Sequence, residues 1–113
     1  MRWPSPRRAA LPAALLAPLL AAAGAGIPEA RQGELRHLLL HDCGSCHGLT
    51  MRGGLGRPLL PEALADRSDA VLAEAILHGI RGTAMPPWRG ELTPEEAHWM
   101  VRELRRGVAA HGE

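Results

Sequence analysis

His41–Thr50 reads HDCGSCHGLT and holds both cysteines of the chain, Cys43 and Cys46, with His47 directly behind the second. No other thiol exists in the 113 residues. C-x-x-C-H is the pattern at which haem c is attached. On one helical turn, positions i, i+3 and i+4 project to the same side, so two thiols can reach the two vinyl groups of a porphyrin while the imidazole reaches its iron. Three other uses of these residues fit less well. A disulfide would leave His47 without a part. A thioredoxin-like redox pair should follow a strand in a βαβ unit, and no period-two alternation occurs. A zinc site wants four ligands, and there is no second cysteine cluster.

Upstream, PEARQGELRHLLLH (28–41) predicts a helix that runs into Cys43, with Pro28 and Glu29 suited to its start and apolar side chains at Leu35, Leu38 and Leu39. Downstream, GLTMRGGLGRPLLP (48–61) is dense in glycine and proline, which predicts a loop with no strand. Ser68 offers an N-cap to a second helix over about 69–78, with Val71, Leu72, Ala75 and Ile76 on one face and Gly79 just past its end. IRGTAMPPWRGEL (80–92) is another irregular stretch. Thr93-Pro94-Glu95-Glu96 then reads as a capping box that starts a last helix to about Val108, burying Ala97, Met100, Val101 and Leu104. The expected class is all-α: three or four short helices and long loops wrapped around one covalently bound haem c.

Residues 1–25 are set apart from the rest. Arg2, Arg7 and Arg8 precede the apolar run 9–23, which is broken by Pro12 and Pro18 and ends in small residues. This predicts a signal peptide over 1–25, a single haem-binding domain over 26–113, and export. The apolar run is shorter than the roughly 20 residues a membrane-crossing helix needs, so no membrane span is expected after cleavage. The remaining residues carry ten arginines against twelve acidic groups and no lysine, which excludes the basic face of a nucleic-acid binder. Phe and Tyr are absent, and only Trp88 and Trp99 follow the leader. A domain of this size with so few aromatics is marginal on its apolar core alone, and loops of a dozen residues in it are expected to wrap a ligand.

The far side of the iron requires a choice among Met51, Met85, Met100, His37, His41, His78, His98 and His111. Met100 falls on the apolar face of the last helix; His98 and His111 read as exposed. His37 and His41 precede the attachment site and belong to the His47 side, while Met51 follows His47 too closely to pass around a porphyrin edge. Met85 sits in GTAMPPW (82–88), where two prolines deny the loop a helix and hold the thioether outward. Met85 is the expected ligand and His78 the alternative, which would give a lower potential.

Cys43–His47, Gly56-Arg57-Pro58-Leu59, the Met85–Pro86 loop and the acidic start of the last helix together resemble the class I cytochromes c over nearly the whole of 26–113. CGSCHGLTMRGGLG with ILHGIRGTAMPPW is similar to the small periplasmic c-55X-type cytochromes, encoded beside dissimilatory nitrite reductase in denitrifying bacteria. The resemblance implies that His47 is the proximal ligand, that its other ring nitrogen donates to the Pro58 carbonyl, and that Trp88 with a nearby arginine bonds a haem propionate. Many class I members carry an aromatic in the last helix where this chain has Glu103; Trp99, one turn earlier, is expected to take over its packing against the first helix.

An iron with both axial positions filled by protein leaves no room for substrate, so the expected role is electron transfer without catalysis. The resemblance implies nitrite reductase as acceptor and a periplasmic cytochrome or copper protein as donor. Any positive docking surface must come from arginines such as Arg52, Arg57, Arg81 and Arg89. Two other roles stay open: an accessory factor in maturing the reductase's special haem, and a ligand-binding haem protein with Met85 displaced.

Overall fold

The computed structural model describes residues 1–14 and 26–108. Residues 1–14 are exposed and without regular structure; most of the apolar half of the expected signal peptide, and His111, lie outside the described residues. Among the described residues every regular element is helical, and no helix is long and apolar enough to cross a membrane.

The first helix differs from the expected one in its second half. Helix α1 spans Glu29–Leu38, but the chain does not stop at His41: a π turn follows over Leu39–Cys43, and α2, Gly44–His47, continues it. The Gly44 N–H bonds the carbonyls of both His41 and Leu39, and the second bond, reaching back five residues, is the signature of the wider turn. The attachment pattern is thereby the end of one continuous helical segment. Helix α3 is a single turn, Pro61–Leu64, with proline at its start, in a stretch the sequence left unassigned.

Helix α4 spans Asp69–His78 as expected, and the Ser68 hydroxyl accepts the Val71 N–H at 3.2 Å. Its buried face is displaced from the expected one. Ala73 and Leu77 are buried with Leu72 and Ile76 half-buried beside them, whereas Val71 is 56% exposed. Residues 72, 73, 76 and 77 form the stripe facing α5, and Val71 falls about 100° to its side.

Helix α5 spans Pro94–Arg106 and opens with the complete capping box: Thr93 Oγ1 accepts from the Glu96 N–H at 3.1 Å, and Glu96 Oε1 accepts from the Thr93 N–H at 3.0 Å. It ends two residues before the expected Val108, because Gly107 adopts the left-handed conformation, φ 84°, and closes the last turn.

The core is aliphatic. Leu35, Leu39, Met51, Met100 and Val101 are its largest fully buried side chains, joined by Leu64, Leu77, Leu92 and Leu104. Each buried side chain of this kind contributes about 2 kcal/mol relative to exposure. Trp88 and Trp99 are half-buried at its margin.

Around this core, α1 and α5 are tied by charge. Glu96 and Glu103 are each only 8% exposed. Glu96 pairs with Arg31, and Glu103 accepts from Arg36 at 3.2 Å and from Arg106 at 2.9 Å. The Arg36 guanidinium also lies 5.2 Å from the centre of the Trp99 ring. Trp99 therefore reaches the first helix as expected, but through a cation, while Glu103 fills its position with an ion pair.

Candidate haem-attachment site

The π turn delivers Cys43 half-buried against the core, and α2 then presents Cys46 and His47, both half-buried, within one turn. No disulfide joins the two cysteines. Burial, with a smaller contribution from the neighbouring Asp42 carboxylate, pushes the Cys43 thiol up to about 11. A thiol held protonated at neutral pH is a poor partner for adventitious disulfide exchange.

The loop after α2 folds back over His47. The Gly53 N–H bonds the His47 carbonyl at 2.8 Å, and the Gly56 N–H bonds the Cys46 carbonyl at 2.8 Å. A side chain at Gly56 would have its first carbon 2.7 Å from His47 Nδ1 and Cε1, so only glycine lets the backbone pass this close to the ring. His47 Nδ1 lies 2.7 Å from the Arg57 carbonyl oxygen. A carbonyl only accepts, so Nδ1 carries the proton and Nε2 keeps its lone pair for a metal. The acceptor corrects the expectation: it is Arg57, one residue before Pro58. The hydrogen bonds of the returning loop, with Gly56 stacked on the ring, bring the carbonyl on the N-terminal side of Pro58 to the imidazole.

Met85 lies in a turn after α4 that is fastened at both of its backbone groups. The Met85 N–H donates to Thr83 Oγ1 at 3.3 Å, and its carbonyl accepts the Ile80 N–H at 3.2 Å. The Thr83 hydroxyl donates in turn to the Ile80 carbonyl at 2.7 Å. Gly79, at φ 69°, passes so near that a side chain there would meet the Met85 carbonyl oxygen at 2.6 Å. Beyond the two prolines, the N–H groups of Trp88 and Arg89 bond the carbonyls of Ile76 and Leu77, which ties the loop to α4. The Met85 side chain is half-buried.

The other candidate ligands are placed differently. Met100 is fully buried in α5, as expected. Met51 is also fully buried, and its backbone is left-handed, φ 60°, the one non-glycine so placed among the described residues. His78 is exposed and 3.4 Å from Glu74 one turn back on α4. His37 and His41 are exposed on the segment before Cys43, with their rings in contact. Their H-x-x-x-H spacing, next to C-x-x-C, would suit a four-ligand zinc site, a pairing the sequence reading passed over. Among the described residues no three of His, Cys, Asp and Glu gather to hold a metal, so that set is not assembled.

Two thiols outside any disulfide and an imidazole with an available Nε2, held on one helical turn, form the donor set that covalent haem c needs. The comparisons with known proteins agree. Residues 29–102 match the family described as cytochrome c oxidase, cbb3-type, subunit III. The chain is 56% identical over 93 residues to cytochrome c55X of Paracoccus denitrificans, covering 81% of this chain and 90% of that one. Among solved structures it is similar to the c-type cytochrome NirC, at TM-score 0.71 and 48% identity, covering 74% of this chain and 98% of that one. It also matches 15% of a larger protein, dihydro-heme d1 dehydrogenase NirN in complex with DHE, at TM-score 0.58 and 38% identity over 65% of this chain. By these likenesses the chain belongs to the cytochrome c family, within it to the c55X/NirC type, with covalently bound haem c as its cofactor.

Proposed function

We propose that this protein is a periplasmic single-electron carrier whose iron is held by His47 and Met85, with Cys43 and Cys46 as the thioether attachments. The observation that carries the reading is the Nδ1–H bond from His47 to the Arg57 carbonyl, which leaves Nε2 as the ligand nitrogen beside the two thiols. Met85, with both backbone groups fastened and two prolines behind it, would supply its thioether sulfur as the second ligand. Haem, held through Cys43, Cys46, His47 and Met85, would supply the one-electron couple. Trp88, half-buried beside the Met85 turn, is assigned to a propionate together with a loop arginine. Residues 1–25 act as the export signal. Mass measurement of exported protein tests the attachment: one haem added per chain is expected, and free thiols on an unmodified chain refute it. A Met85→Ala variant should bind carbon monoxide rapidly when reduced and drop in potential; if neither changes, the ligand is elsewhere.

The electron acceptor is dissimilatory nitrite reductase on this reading. Arg52, Arg57, Arg81 and Arg89 are exposed and, among the described residues, their side chains make no hydrogen bond or ion pair, unlike Arg31, Arg36, Arg105 and Arg106. Four unpaired cations on the two loops fit an acidic partner and a brief contact. Stopped-flow reduction of the purified reductase should slow as salt rises; a rate that rises with salt refutes the assignment.

A second reading is favoured by the likeness to part of dihydro-heme d1 dehydrogenase. A dehydrogenase must pass electrons on, and a free module similar to its cytochrome portion is suited to accept them. A deletion strain separates the two: a reductase lacking its special haem supports the maturation role, and a complete but slowly reduced one supports the carrier.

A further inference from the structure

We propose that His37 and His41 form a binding site for one divalent transition-metal ion, separate from the haem iron. His37 stands in the last turn of α1 and His41 in the π turn, and their ring centroids are 4.2 Å apart with planes inclined at 40°. Both side chains are exposed, and among the described residues neither imidazole makes a hydrogen bond or an ion pair. Two imidazoles four residues apart on one helical face are an established chelating arrangement. Here the rings are in contact across the start of the wider turn.

The neighbouring groups define the site's chemistry. Glu34, one turn before His37, is bound to Arg31 at 2.7 Å, and no third ligand completes a cluster among the described residues. The protein therefore supplies two nitrogens and water fills the remaining positions. Such an open, nitrogen-only site selects the late first-row ions, with Cu²⁺ above Ni²⁺ and Zn²⁺, over Mg²⁺ or Ca²⁺, which want oxygen. An ion bridging residue 37 to residue 41 spans the junction of α1 and the π turn. It would clip the segment that sets the direction of Cys43, on the same continuous helix as His47 but not through either axial ligand.

The test uses the haem-loaded chain and redox-inert probes, zinc chloride and nickel chloride, titrated by calorimetry. One ion per chain is expected, with affinity falling on the order of tenfold or more in His37→Ala and in His41→Ala, because each leaves a single ligand. His78→Ala and His98→Ala should leave it unchanged. Amide exchange at residues 39–43 should slow when zinc is present and not in the variants. Binding that survives in the His37→Ala/His41→Ala double variant, or that falls equally in the control variants, is an adventitious ion only and overturns the proposal. Circular dichroism of each variant checks that the helices are intact, and unchanged exchange at 39–43 despite binding refutes the clip.

Discussion

The crossing of α1 and α5 and the two loops that carry the Arg57 carbonyl and Met85 are held by different physics. At the crossing, side chains do the work: Arg31–Glu96 and Arg36–Glu103–Arg106 link the helices above an aliphatic floor of Leu35, Met100 and Val101. In the loops, backbone N–H groups do most of it: those of Gly53, Gly56 and Ile80 bond carbonyls five to ten residues away and that of Met85 bonds the Thr83 hydroxyl, while Leu49 and Leu55 are 68% and 92% exposed. Apart from Met51 and Leu92 the loops place few side chains fully in the core, so close backbone contacts carry much of their order. Mutations should accordingly act in the crossing as graded losses of stability and in the loops as losses of haem geometry.

Gly56→Val is the sharpest way to break this contrast. Its side chain would overlap the His47 ring, so haem content per exported chain should collapse while far-UV helicity of the remaining polypeptide persists. Gly79→Ala is next. Its methyl meets the Met85 carbonyl at 2.6 Å on a left-handed backbone, which costs about 1–3 kcal/mol and should raise the carbon monoxide binding rate of the reduced protein more than it lowers the melting temperature.

Thr93→Ala removes one arm of the capping box and should cost about 1 kcal/mol in thermal or denaturant unfolding, with the iron spectrum unchanged. Thr83→Val takes away the hydroxyl between Ile80 and Met85; it should weaken the sulfur-to-iron band of the ferric protein, and Thr83→Ser should restore it. Loss of the band in Thr93→Ala, or its full retention in Thr83→Val, would dissolve the distinction between the two regions.

Acid provides a quieter probe. The Arg31 guanidinium, chiefly by its hydrogen bond, holds the Glu96 carboxyl below the usual carboxylate range. A depressed folded-state value means that this pair stabilises the fold above the unfolded carboxylate pKa of about 4.3 and that its contribution is lost as pH falls through the lower folded value. Between pH 7 and pH 3 the melting temperature of Glu96→Gln should fall less than that of the parent protein. Parallel curves would remove Glu96 from the acid response.

The local devices were legible. Ser68 and the Thr93–Glu96 box are capping chemistry written in adjacent residues, and both occur where the pattern puts them. Glu103 was legible only as a departure, because its meaning depends on Arg36, 67 residues earlier. The stripe on α4 was misread by one position since leucine and valine look alike in a hydrophobic pattern and only contact with α5 selects between them.

C-x-x-C-H determined the cofactor without help from the fold, because covalent attachment needs only thiols and an imidazole at fixed intervals along one turn. The acceptor for His47 and the width of the turn before Cys43 were decided by tertiary structure. A hydrogen bond across ten residues and a helix that gains one residue per turn are set by how loops and core pack together, and no local run of sequence encodes that.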